Sequence, residues 1–141
     1  VSEAQINICS YPWRRYYTTN YDASIEISSH KNGIRVDSLI LDDPYKDTPK
    51  YDEKICLHIN GYVTDIDEDS LKSKLKLSDS SYMSPDSFQR SSWSYHFKSD
   101  LDRANAVVFI GYSLYDIDIK KILFENSNLN TKTFFIFPCF H

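Results

Sequence analysis

Glycine is scarce in this chain: its 141 residues include only three, Gly33, Gly61 and Gly111, where average usage of about 7% would supply roughly ten. A phosphate-cradling loop of the GxGxxG or GxxxxGK kind cannot be built from them, so a nucleotide bound here would find its phosphate loop elsewhere or not at all. Cysteine is thin as well. Cys9, Cys56 and Cys139 are odd in number, far apart and form no CxxC pair, which argues against a zinc ribbon and a disulfide scaffold and for a reducing, cytoplasmic compartment. No apolar run approaches the roughly 20 residues that cross a bilayer. The N terminus has no basic region leading into an apolar stretch, so no signal peptide is expected. Positive charge is not in excess either: 16 Lys and Arg against 20 Asp and Glu leave a net charge of −4, with no basic field for nucleic acid or an anionic membrane.

What remains is ordinary globular material. A hydrophobic content of 41% with 26% charged residues suits one domain over residues 1–141 with a real core. The chain is organised around Ala106 to Asp118, AVVFIGYSLYDID. Ala106 to Ile110 run apolar without alternation into Gly111, the pattern of a strand buried on both faces of a parallel sheet. Beyond the turn, Ile119, Ile122, Leu123 and Phe124 recur at helical spacing. A strand-to-helix turn of this kind lies at the carboxyl edge of an open α/β sheet, where ligands bind and a helix start offers free N–H groups. Ser113-x-x-Asp116 is equally a capping box, which any helix can use.

The other segments repeat the theme. Val1 to Ser10 carries too few apolar residues to assign beyond the tail of a helix stopped by Pro12. Trp13 to Thr19 reads as a strand rich in aromatic and β-branched residues. A short helix follows from about Asp22 to His30, with Lys31 at its C terminus and Gly33 as a left-handed cap. Ile34 to Leu41 is a strand leading into an acidic, proline-bearing loop, Asp42 to Asp52, and Lys54 to Ile59 is another, ending at His58-Ile59-Asn60-Gly61. Thr64 to Pro85, charged and serine-rich, reads as a flexible excursion. Phe88, Trp93, Phe97 and Leu101 predict one amphipathic helix over Ser87 to Arg103, and Thr133 to Phe137 a last buried strand. The aromatic set reads as core, because no basic groove accompanies it.

Strand, polar turn and helix in alternation predict an α/β, doubly wound, mostly parallel Rossmann-like sheet. Right-handed crossovers then bring three turns to one carboxyl edge: Thr18, Thr19, Asn20 and Asp22 on the first, His58 and Asn60 on the second, Ser113, Asp116 and Asp118 on the third. Thr19-x-x-Asp22 is again a capping box, so helix capping competes with function here also. No metal is expected. The acidic run Asp65, Asp67, Glu68 and Asp69 lacks the glycine and the twelfth-position glutamate of a calcium loop, and His30, His96 and His141 have no ligand spacing.

These residues resemble a known family. Thr18-Thr19-Asn20-Tyr21-Asp22 looks like the TTNYD motif of sirtuins and their bacterial sirtuin-like relatives. Leu57-His58-Ile59-Asn60-Gly61 sits where those proteins carry a His-Gly element. Phe109-Ile110-Gly111-Tyr112-Ser113-Leu114-Tyr115-Asp116-Ile117-Asp118 is similar to the FIGYSLxDxD form found in sirtuin-like NAD hydrolases of antiphage defence, and Tyr82 and Trp93 lie where that branch often has aromatics. The resemblance implies a Rossmann-like domain that binds NAD as its substrate, without a metal, and cleaves the nicotinamide N-glycosidic bond. It implies a catalytic set of Asn20, Asp22, His58 and Asn60. Asn20 would position the attacking water or the ribose face, and Asp22 would contact the nicotinamide ribose or amide. Thr18, Thr19, Gly61, Gly111, Ser113, Leu114 and Asp116 would bind the dinucleotide.

The chain departs from that pattern in two places. The family's histidine directly precedes glycine, whereas here Asn60 holds that place and His58 stands two residues earlier. Strand alternation puts both on one face, so either can take the histidine's role, and His58 can also be a satisfied core histidine. The glycine-rich strand and loop that open the family's domain are missing before Val1, which suggests a fragment of a longer protein with additional domains or a homo-oligomer. An NAD-dependent deacylase and a non-catalytic nucleotide-sensing or assembly module are the alternatives; the absence of zinc cysteines argues against the usual deacylase architecture.

Overall fold

A computed structural model describes residues 1–46, 53–63, 85–111, 124–125, 129 and 131–137. They fall into two compact units, Val1–Ser84 and Pro85–His141.

The first unit opens with helix α1, Glu3–Cys9. Its start is a capping box: the Ser2 hydroxyl accepts from the Gln5 N–H at 3.2 Å, and the Gln5 side-chain oxygen accepts from the Ser2 N–H at 2.7 Å. Ser2-x-x-Gln5 therefore satisfies two orphan donors at once, a signal the apolar spacing of this short segment does not carry. Strand β1, Arg15–Thr18, helix α2, Ser24–Lys31, and strands β2, Arg35–Ile40, and β3, Glu53–His58, follow. Helix α2 ends as its composition predicts. Gly33 has φ +72°, and the Gly33 and Ile34 N–H groups close on the His30 and Ser29 carbonyls at 2.9 and 3.0 Å, a Schellman ending that a side chain at Gly33 would strain. Its buried residues are Ser28 and Ser29, while Ile27 is exposed.

The three strands are parallel in the order β1-β3-β2. Strand β3 is flanked on both sides, which explains its unbroken apolar run: Ile55, Cys56 and Leu57 are all fully buried. The register sets Thr18 of β1 and Ile40 of β2 opposite His58 of β3. All three strands thus end at one level, and the turns after β1 and β3 leave the same carboxyl edge.

The second unit holds helices α3, Pro85–Arg90, and α4, Ser92–Arg103. The single helix expected over Ser87 to Arg103 is interrupted at Ser91, which is extended at φ −74° and ψ 153°. Its hydroxyl donates to the Phe88 carbonyl at 2.6 Å, so serine closes one helix where the next begins. Phe88 and Trp93, five positions apart, cannot share a face of one straight helix. The break brings Phe88 onto Phe97, edge to face with ring centroids 5.6 Å apart, while Trp93, Phe97 and Leu101 are buried along α4.

Strands β4, Val107–Ile110, and β5, Thr133–Ile136, form a parallel pair. The burial expected of both is not found: Ile110 is 47% exposed and Phe134 57% exposed. Each strand has one partner among the described residues. Residues 47–52, the excursion from Thr64 to Ser84, and Cys139 lie outside the described residues. So does the helix expected after Gly111, apart from Phe124 and Glu125. Among the described residues no helix is long and apolar enough to cross a membrane.

Candidate functional site

The site is built where β1 and β3 end. The turn after β1 has four consecutive carbonyls, at Thr18, Thr19, Asn20 and Tyr21, and each is held from the segment 58–63. The Ile59 N–H donates to Thr18 O at 2.8 Å and the Val63 N–H to Tyr21 O at 2.9 Å. Between them, Asn60 Nδ2 donates to Thr19 O at 3.1 Å and His58 Nδ1 lies 2.9 Å from Asn20 O. His58 and Asn60 do share a side, as strand alternation predicts, and that side faces the first turn. Gly61 permits the return of the chain, with φ +104° and its N–H on the His58 carbonyl at 3.3 Å.

Within the first turn, Thr18 is buried and its hydroxyl accepts from the Asn20 N–H at 3.1 Å. The Asn20 side chain is exposed and takes no hydrogen bond among the described residues. Asp22 serves the helix start, though not in a box with Thr19. Its Oδ1 accepts from the Ser24 N–H at 2.9 Å and from the Ser24 hydroxyl. Those two bonds, side chain first and backbone second, hold the Asp22 carboxyl below the usual carboxylate range. It is an exposed anion at neutral pH, two residues from the Asn20 amide.

His58 is fully buried. Its Nε2 lies 2.7 Å from Glu26 Oε1, and Tyr62 covers the ring at 4.3 Å between centroids. Glu26 Oε1 also accepts from the Ser38 hydroxyl at 2.6 Å. Burial pushes the Glu26 carboxyl up, but the hydrogen bonds from His58 and Ser38 outweigh it and hold the group below the ordinary glutamate range. The Asn20 carbonyl can only accept, so the proton between it and the imidazole belongs to Nδ1, and Nε2 is taken by the Glu26 carboxyl.

Cys56 belongs to the same cluster. One ligand atom from each of Glu26, Cys56 and His58 falls within a 4.8 Å group, the right donor types for a soft divalent ion. The spacing decides against it. In a tetrahedral centre with ligands at 2.0–2.1 Å, neighbouring ligand atoms stand about 3.4 Å apart, whereas Nε2 and Oε1 are 2.7 Å apart, a distance that a shared proton fills. The Cys56 thiol is pushed well up, by burial first and then by the Glu26 charge, so it stays protonated.

The third expected turn starts in the second unit. Gly111 has φ +62°, and its N–H donates to Ile136 O at 3.0 Å. Ser113, Leu114, Asp116 and Asp118 lie outside the described residues. The structure adds Glu26, Ser38 and Tyr62 to the group around the first two turns. Glu26 lies on α2, and what brings it into the site is its bond to His58, which no local pattern signals.

Parallel strands ending level, with polar turns beyond their carboxyl ends and a helix starting behind the first, define an α/β fold of the nucleotide-binding kind. The family model described as SIR2-like domain matches residues 14–138. The chain belongs to that SIR2-like family, whose substrate is NAD. No curated protein and no solved structure matches the chain.

Proposed function

We propose that this domain binds NAD at the β1–β3 edge and transfers its ADP-ribosyl group to water. The bond between C1′ of the ribose and the pyridinium nitrogen breaks, its electron pair neutralises the ring nitrogen, and nicotinamide leaves. Water forms the new C1′–O bond and gives up a proton. Positive charge develops on the ribose as the bond stretches, and a nearby carboxylate favours that state over the ground state. Asp22, already ionised, supplies the charge, and the Asn20 amide orients the water or the ribose hydroxyls.

The observation that carries this reading is the contrast within one turn. Every carbonyl from Thr18 to Tyr21 is held, while the Asn20 side chain stays exposed and without a partner among the described residues. A site that must place one amide against a substrate needs a rigid base and a free tip. Thr18, Thr19 and Gly61 complete that base. Ser113, Leu114 and Asp116 enter through the resemblance of FIGYSLYDID to the defence NAD hydrolases, which also supports an antiphage role. A nucleotide-sensing module without turnover is the second reading, favoured by the engagement of both His58 nitrogens. The test is nicotinamide release from NAD. Asn20→Ala should lower it at least about 100-fold with an unchanged circular dichroism spectrum; release untouched by the substitution would sink the proposal.

A further inference from the structure

We infer that His58 is a positioning residue: held between Glu26 and the Asn20 carbonyl, it fixes the turn that presents the Asn20 amide and takes no proton from the substrate. The inference rests on the NAD-cleaving reading and assigns a role within that site.

A general base needs a lone pair within reach of the proton it abstracts. The His58 ring is 0% exposed, with Nδ1 on Asn20 O at 2.9 Å and Nε2 on Glu26 Oε1 at 2.7 Å. Neither nitrogen is open, and Tyr62 lies over the ring. The same bonds make one continuous path. The Ser38 hydroxyl of β2 donates to Glu26 of α2, Glu26 receives the imidazole of β3, and the imidazole donates to the turn after β1. Four elements are thereby tied at the one peptide whose side chain faces the substrate. Asn60 does the same for the preceding carbonyl, so the asparagine at the family's histidine place acts as a second clamp.

The test exploits a geometric coincidence. In asparagine, Nδ2 occupies nearly the place that Nδ1 has in histidine, so His58→Asn keeps the donor to Asn20 O and removes the imidazole. His58→Ala removes both. With nicotinamide release as the readout, His58→Ala should lose about 100-fold in kcat, the cost of a misplaced reacting group, with KM for NAD changed less than threefold or so. His58→Asn should recover at least about tenfold of that loss. Glu26→Gln should keep most activity, because a glutamine amide can donate to Nε2 of a neutral ring that still has its proton on Nδ1. A histidine base supported by a carboxylate predicts the opposite: His58→Asn as inactive as His58→Ala, and Glu26→Gln down by about 10⁴. Either result overturns the inference.

If the wild-type protein releases no nicotinamide, the proposed function fails, and the clamp is still read by 15N NMR of the His58 ring. Under this inference Nδ1 carries a proton that is slow to exchange. A bare Nδ1, or His58→Asn leaving the Asn20 and Tyr21 amides as unprotected as His58→Ala does, counts against it. Should His58→Ala fail to fold, Glu26→Gln and the wild-type spectrum decide alone.

Discussion

Strands β3 and β4 read alike in sequence and differ in structure. Lys54 to Ile59 and Ala106 to Ile110 are both apolar runs that end in a polar turn at a glycine. Strand β3 lies between β1 and β2, and Ile55, Cys56, Leu57 and His58 have no exposed surface at all. Strand β4 has β5 alone among the described residues and is half-buried, with Ile110 exposed. An apolar run states what a strand gains from burial. How many neighbours it obtains is decided by the topology.

That contrast can be broken by substitution. Leu57→Ala should cost about 3 kcal/mol, as for a leucine deleted from a core that cannot collapse around the space, whereas Phe134→Ala on β5 should cost less than about 1 kcal/mol, as for a half-exposed site. Urea unfolding midpoints measure both; equal losses would show that β5 is as deeply packed as β3.

Acid bears on the same contrast, because the buried edge of β3 leans on a carboxylate. The folded Glu26 carboxyl lies below its unfolded value. The stability it contributes is therefore present above the unfolded pKa of about 4.3 and is lost as pH falls through the folded one. Asp22, lowered by its Ser24 bonds, acts in the same direction. Unfolding free energy should fall between about pH 5 and about pH 3, and Glu26→Gln should flatten part of that slope. A slope identical in the variant would remove Glu26 from the account.

One small effect should be the same in both units. Gly33 and Gly111 have φ +72° and +62°, and a Cβ built at either meets nothing within 4 Å. Each Gly→Ala change should therefore cost only the backbone strain of a left-handed residue, about 1 kcal/mol. A thermal-unfolding loss well beyond that at Gly111 would mean that its surroundings are closed, unlike those of Gly33.

Legibility followed the range of the interaction. The ending of α2 was readable because Lys31, Asn32 and Gly33 act within one turn. The spacing of five between Phe88 and Trp93 already contained the break at Ser91, and Ser2-x-x-Gln5 already contained the start of α1. In the site, Asn20, Asp22, His58 and Asn60 were reachable through their motifs. Glu26 and Ser38 were not, since the bond from Glu26 to His58 joins residues 32 positions apart and that from Ser38 to Glu26 crosses from strand to helix.

By itself the sequence determined the parallel α/β class, the order of strand, turn and helix, and the residues that crowd the end of β1. Those properties follow from short-range rules: side-chain period, caps and glycine at positive φ. Only the tertiary structure decided which apolar strand would lie in the middle of three, and that both nitrogens of His58 would be taken. Each depends on register between segments some 40 residues apart, as in the 38-residue span from His58 to Asn20. No local preference specifies that register; the packing of the whole sheet does.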